Sequence, residues 1–267
     1  MNNFSLKQKP IIYLLIMLAC MVAYSFAMSD LVPMLGMQSE LDQMLFKKWL
    51  FVAGLVGFVI FRGLTQASGL KLIANWRTLP LYWPMALVLG LIMAGAAASP
   101  SGFSMPAIEV TSKLLVLCIA VGIGEELIFR GLVFHWFRDL PLRSKILVSA
   151  GSFAAIHLTG LASDIPSVVI LSQVYLAFSF GLIFACARAR DVSILIPIGV
   201  HALFDFVAFL PKGGVSETFN AENVEQVVGG MLFAGTIALL WGLFLLWKSN
   251  PETVADSAEH GSRIKPS

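Results

Sequence analysis

The sequence predicts an all-α fold, a polytopic integral membrane helix bundle of about eight transmembrane helices with both termini cytoplasmic. Three observations lead there. Of the 267 residues, 58% are apolar and 13% charged, about half the usual charged share of roughly 25%. With a mean hydropathy of +0.83, so little ionic surface does not cover a water-soluble globule. Eight apolar stretches also approach the roughly 20 residues that one helical crossing requires, and the cations between them alternate from connection to connection.

The stretches run 11–28, 45–63, 79–98, 114–137, 146–160, 167–187, 192–210 and 227–247. The first follows Lys7 and Lys9 and exceeds the 7 to 15 apolar residues usual in a secretory signal, so it is read as an uncleaved helix. The fifth is the shortest and is interrupted by Thr159 and Gly160. One set of connections and ends holds Lys7, Lys9, Arg62, Lys71, Arg77, Arg138, Arg143, Lys145, Arg188, Arg190, Lys248, Arg263 and Lys265. The alternate set holds Lys47, Lys48, Lys113 and Lys212 beside Asp30, Glu40, Asp42, Glu109, Asp164, Glu217, Glu222 and Glu225. Cytoplasmic loops are the cation-rich ones, which puts both ends of the chain in the cytoplasm. The bundle is expected over residues 1–248, with its motif-bearing core at about 114–210, followed by a polar, disordered cytoplasmic tail at 249–267. Cys20, Cys118 and Cys186 all lie in apolar runs and read as small core residues rather than a disulfide framework. No basic patch with interleaved aromatics is present, so no nucleic-acid partner is expected.

Three stretches carry ionisable residues, each costing about 2.5 to 3.5 kcal/mol to insert, so they must face one another or water. The fourth contains Glu125, Glu126 and Arg130, the fifth His157 and the seventh His201 and Asp205. Glu126 and Arg130 are four apart and share a helix face, where they can pair; Glu125 points about 100° away and is left without a built-in partner. That makes Glu125 the reactive candidate. A purely structural reading, in which both glutamates clasp Arg130, stays open at this point. His201 and Asp205 are also one turn apart, and His157 must reach them from another helix. No zincin helix, nucleophile elbow, phosphate loop or paired-cysteine zinc signal is present.

These segments resemble the three motifs of the CAAX protease and bacteriocin-processing (CPBP, Abi-type) family of intramembrane proteases, which includes the type II CAAX prenyl endopeptidases. The correspondence lies in Glu125-Glu126 with Arg130, in Phe153 with His157 and in His201 with Asp205, and it does not extend to the first three helices or the last. The resemblance implies an intramembrane endopeptidase that hydrolyses a peptide bond of a membrane-associated protein or peptide. It assigns Glu125 to activating water, and His157, His201 and Asp205 to steadying the oxyanion, with Glu126, Arg130 and Phe153 in support. Asp205 stands where the family usually has asparagine, and a carboxylate donates a hydrogen bond only when protonated. No cofactor is favoured, but zinc is an alternative, because Glu125, His157 and His201 make a two-histidine, one-carboxylate set. A proton-coupled transporter and a non-catalytic scaffold or regulator are the readings from other classes. The expected location is the bacterial-type cell (inner) membrane, with the lipid bilayer and a peptide substrate as partners.

Overall fold

The computed structural model describes residues 9–37, 39–71, 74–98, 103–191, 193–212 and 224–249. Among the described residues there are helices and turns and no strand. The helices are α1 Lys9–Met34, α2 Glu40–Phe61, α3 Trp83–Ala97, α4 Ile108–Glu126, α5 Val133–Trp136, α6 Leu142–Ile156, α7 Ser167–Arg190, α8 Leu195–Phe209 and α9 Val224–Trp247. A 3-10 turn, Trp76–Tyr82, leads into α3, and another, His157–Ala162, prolongs α6. A π-helical turn, Leu127–Leu132, joins α4 to α5 into one rod. Each apolar stretch of the sequence overlaps one of these helical segments.

Six helical segments are long and apolar enough to cross a membrane: 9–34, 40–61, 76–97, 142–162, 167–190 and 224–247. The two rods outside that group are the ones that carry most of the site. Glu109, Lys113, Glu125 and Glu126 interrupt the hydropathy of α4, and α8 has only 15 residues.

α7 is the innermost helix. Its membrane-length window is 61% buried, against 6% for α1, so α7 organises the core while α1 lies on the outside. It packs between α6 and α9. Small residues permit that approach: an added Cβ at Gly242 would sit 2.8 Å from the Leu182 side chain. On the other side of the bundle α4 lies between α2 and α8, and α5 contacts α1 and α6.

The loop after α2 is tied to the turn between α7 and α8. Asp191 accepts from the backbone N–H of Ser193 at 3.0 Å and of Asn75 at 3.2 Å, while Ser193 Oγ donates to the Lys71 carbonyl at 3.1 Å. These bonds satisfy backbone groups of a connection that has no helix of its own.

Two details differ from the sequence reading. Cys20 lies exposed on α1, whereas Cys118 and Cys186 are buried, because α1 is too peripheral to have an inner face along its whole length. Ser249, the first residue of the expected tail, is buried and bonded to the Leu245 carbonyl at 2.7 Å. The remainder of the tail, 250–267, lies outside the described residues.

Candidate active site

The site is built around the last turn of α4, where consecutive glutamates face different surroundings. Glu126 is fully buried. Its Oε1 accepts from Arg130 Nη1 at 3.1 Å and from His201 Nδ1 at 2.9 Å, so one oxygen joins α8 to the π turn. Arg130 is also fully buried. Its guanidinium lies over the rings of Phe153 (4.4 Å) and Phe184 (5.1 Å) and donates to the Gly181 carbonyl at 3.4 Å. Aromatic faces are suited to a desolvated, delocalised cation. The i,i+4 pairing expected from spacing is therefore present, set in a shell of α6 and α7 residues that spacing alone does not reveal.

Glu125 turns the other way and keeps 16% of its side chain exposed. Its Oε2 is 3.7 Å from His201 Nε2, and its Oε1 is 3.9 Å from the ammonium of Lys48 on α2. The carboxylate read from the sequence as lacking a partner thus has neighbours on both oxygens, supplied by other helices. Asp205, one turn beyond His201, approaches the same Nε2 at 3.6 Å.

The tautomer of each histidine follows from its Nδ1. A carboxylate paired with arginine accepts, so His201 Nδ1–H donates to Glu126; Nε2 faces Glu125 and Asp205, neither within hydrogen-bond distance. His157 Nδ1 lies 2.9 Å from the Phe153 carbonyl, which only accepts, so Nδ1 carries the proton and Nε2 carries the lone pair of the neutral ring. The α-helical pattern of α6 gives way to 3-10 geometry at His157. The Phe153 ring orients both histidines, with centroids 5.2 Å from His157 and 5.9 Å from His201 in edge-to-face arrangement.

The π turn falls between the glutamates and the rest of the rod. Its closing bond runs from Val133 N–H to the Ile128 carbonyl. Two carbonyls inside it accept from neighbouring helices: Phe129 from Ser149 Oγ at 2.9 Å, and Arg130 from Arg188 Nε at 2.9 Å. Wide turns of this kind occur within α-helices and are frequent at functional sites.

Close approach of α4 and α8 brings Glu125 to His201. A Cβ at Gly122 would stand 2.9 Å from the Ile198 carbonyl, with no flexible side chain to yield, whereas one at Gly124 would meet Phe51 at an ordinary 3.5 Å. Gly122→Ala is therefore expected to lower stability by about 1 to 3 kcal/mol through overpacking, while Gly124→Ala leaves it nearly unchanged. Thermal unfolding of the two variants in detergent checks the contrast.

The structure brings together all seven residues singled out in the sequence: Glu125, Glu126, Arg130, Phe153, His157, His201 and Asp205. Sequence reasoning missed Lys48, which it counted among the cations of a connection, and Phe184 of α7. It also missed Tyr82, whose ring meets Phe184 edge-on at 5.1 Å. Motif spacing carries no signal for any of the three. For the zinc alternative, no group of three or more His, Cys, Asp or Glu among the described residues is arranged to hold a metal ion.

Against known families, residues 107–207 match the description "Type II CAAX prenyl endopeptidase Rce1-like". That segment runs from the start of α4 through most of α8 and contains every motif residue named above. Residues 107–207 belong to the CAAX protease family. No curated protein matches the chain. The CAAX-protease segment includes the π turn, α6 and α7, so the glutamates, both histidines and the aromatic shell of Arg130 all lie within the match. Lys48 and Tyr82 lie outside it. The apolar helices make this a multi-pass membrane protein, and the family that residues 107–207 match is described as one of endopeptidases.

Proposed function

We propose that the protein is an intramembrane endopeptidase that uses a Glu125-activated water and no metal. The observation that carries this reading is the grouping of one partly accessible carboxylate with two histidine rings whose Nδ1–H groups are both committed, one to Glu126 and the other to the Phe153 carbonyl. Glu125 is 11 residues from the Trp136 end of its rod, about 16 Å at 1.5 Å per residue. Hydrolysis at that depth needs a wet pocket, and the partial exposure of Glu125 and Asp205 is consistent with one.

In the proposed reaction, Glu125 takes a proton from water as the hydroxide oxygen bonds to the scissile carbonyl carbon. The Nε2 lone pair of His157 accepts the water's second hydrogen and aims it, which divides the histidines between two tasks where the family resemblance gave both to the oxyanion. His201, acting as the imidazolium among Glu125, Glu126 and Asp205 with its Nδ1–H committed to Glu126, donates an Nε2–H hydrogen bond to the carbonyl oxygen as negative charge develops and keeps its proton throughout. A well-placed donor of that kind is worth about 2.7 to 4 kcal/mol in the transition state. Asp205, 3.6 Å from Nε2, aligns the ring. Collapse of the tetrahedral intermediate breaks the C–N bond, and the proton held by Glu125 passes to the leaving amine. The buried Glu126–Arg130 pair keeps the His201 ring in place and takes no part in proton transfer.

The same reading takes the chain to cross the membrane eight times, with both termini in the cytoplasm of a bacterial-type cell and the substrate a membrane-associated protein or peptide. The test is to incubate the purified protein with a library of membrane peptides and identify products by mass spectrometry, with Glu125→Gln as control and with and without chelator. Cleavage by the wild type alone, indifferent to chelator, is expected. Uncut peptides, or equal cleavage by Glu125→Gln, overturn the protease reading; activity lost to chelator and restored by zinc overturns the metal-free mechanism only.

A further inference from the structure

Lys48 stands eight residues inside α2, roughly 12 Å from the Glu40 end, in a helix otherwise apolar enough to cross a membrane. A lysine at that position is costly to insert and calls for a named partner. Asp42, in the first turn of the helix, is taken up elsewhere. Asp42 pairs with Lys113 at 2.9 Å, and Lys113 is also held by Glu109 at 2.7 Å. Among the described residues the carboxylate recorded against the Lys48 ammonium is Glu125, at 3.9 Å. A half-exposed ion pair at this separation adds little to stability, so structural support alone does not account for the residue.

The geometry divides the Glu125 carboxylate. Oε1 faces the Lys48 ammonium and Oε2 faces His201 Nε2 at 3.7 Å. The Lys48 side chain is 45% exposed and that of Glu125 16%, so the lysine lies on the outer, accessible side of the acid. The groups around Glu125 come from four helices: Lys48 from α2, Glu126 from α4 itself, His157 from the end of α6, and His201 and Asp205 from α8.

We propose, resting on the protease reading, that Lys48 is a positioning residue for Glu125. It pins Oε1 from the accessible side, so that the plane of the carboxylate is fixed and Oε2, beside His201, is the oxygen that takes the proton from water.

The experiment compares wild type, Lys48→Met, Lys48→Arg and Glu125→Gln in steady-state cleavage of a neutral membrane peptide identified from the library, together with melting temperature. For Lys48→Met, kcat is expected to fall about 10- to 100-fold, the scale of a misplaced catalytic group, with KM within about twofold and melting temperature unchanged. Lys48→Arg is expected to recover most of the rate. Should the Met variant not fold, Lys48→Gln takes its place. Wild-type kcat in either uncharged variant overturns the proposal, as does a loss confined to KM, which makes Lys48 a substrate-binding group, or an Arg variant no better than Met. When the wild type cleaves and Glu125→Gln does not, such a failure concerns Lys48 alone; a wild type that cleaves nothing removes both readings.

Discussion

Glu125→Gln is expected to reduce peptide cleavage by about 10³- to 10⁴-fold while leaving the fold intact. The amide has the size of the carboxylate and keeps an oxygen that can face Lys48, but it accepts no proton from water, and positioned general bases contribute typically 10²- to 10⁴-fold. The upper part of that range is expected because Glu125 serves twice, taking the proton of water and returning it to the amine. Stability is spared because Glu125 is outside the fully buried pair and its two neighbours stand at 3.7 and 3.9 Å, too far for strong bonds. The measurement is kcat alongside thermal unfolding. A variant that both cleaves and melts like wild type removes Glu125 from the chemistry.

The second large effect is on the fold. Arg130→Met is expected to lower stability by about 3 to 5 kcal/mol, the scale of stranding one member of a buried ion pair. Glu126 would be left fully buried with a charge that only His201 meets, and the Phe153 and Phe184 faces would lose their cation. A Glu126→Gln/Arg130→Met double variant is expected to regain most of the loss, since it leaves no charge unpaired and its amide oxygen can still accept from His201 Nδ1–H. Denaturation of the single and double variants in detergent gives the coupling directly. Additive losses would mean that the pair is not the unit that matters.

Six of the helical segments were legible in the sequence because lipid-facing helices must be apolar along their length, whereas the charges of α4 and the short length of α8 keep those two outside the group. The identities of the motif residues were legible for a related reason: an ionisable group in such a stretch is too costly to be incidental. What stayed hidden was which atoms meet. Glu126 was expected to pair with Arg130 and does, but the sharing of its Oε1 with His201 depends on how α8 crosses α4, which the small size of Gly122 permits and no spacing rule predicts. The division of labour between the histidines was equally illegible, because it rests on a hydrogen bond from His157 to the Phe153 carbonyl. Lys48 was hidden by its position. Near the end of an apolar run it reads as a loop cation, and only the parallel packing of α2 on α4 turns it toward Glu125.

The wide turn at Leu127–Leu132 has a mechanical consequence. It takes up one residue more than an α turn, so everything beyond it is rotated by about 100° from where an unbroken helix would carry it. The rod is thus out of phase with itself. Its first half keeps its face to α2 and α8, while the second half offers Trp136 to Tyr13 of α1, 5.9 Å away, and Phe134 to the cations Lys145 and Arg188. One continuous stretch of chain therefore presents one face to the site and a different face to α1 and α6.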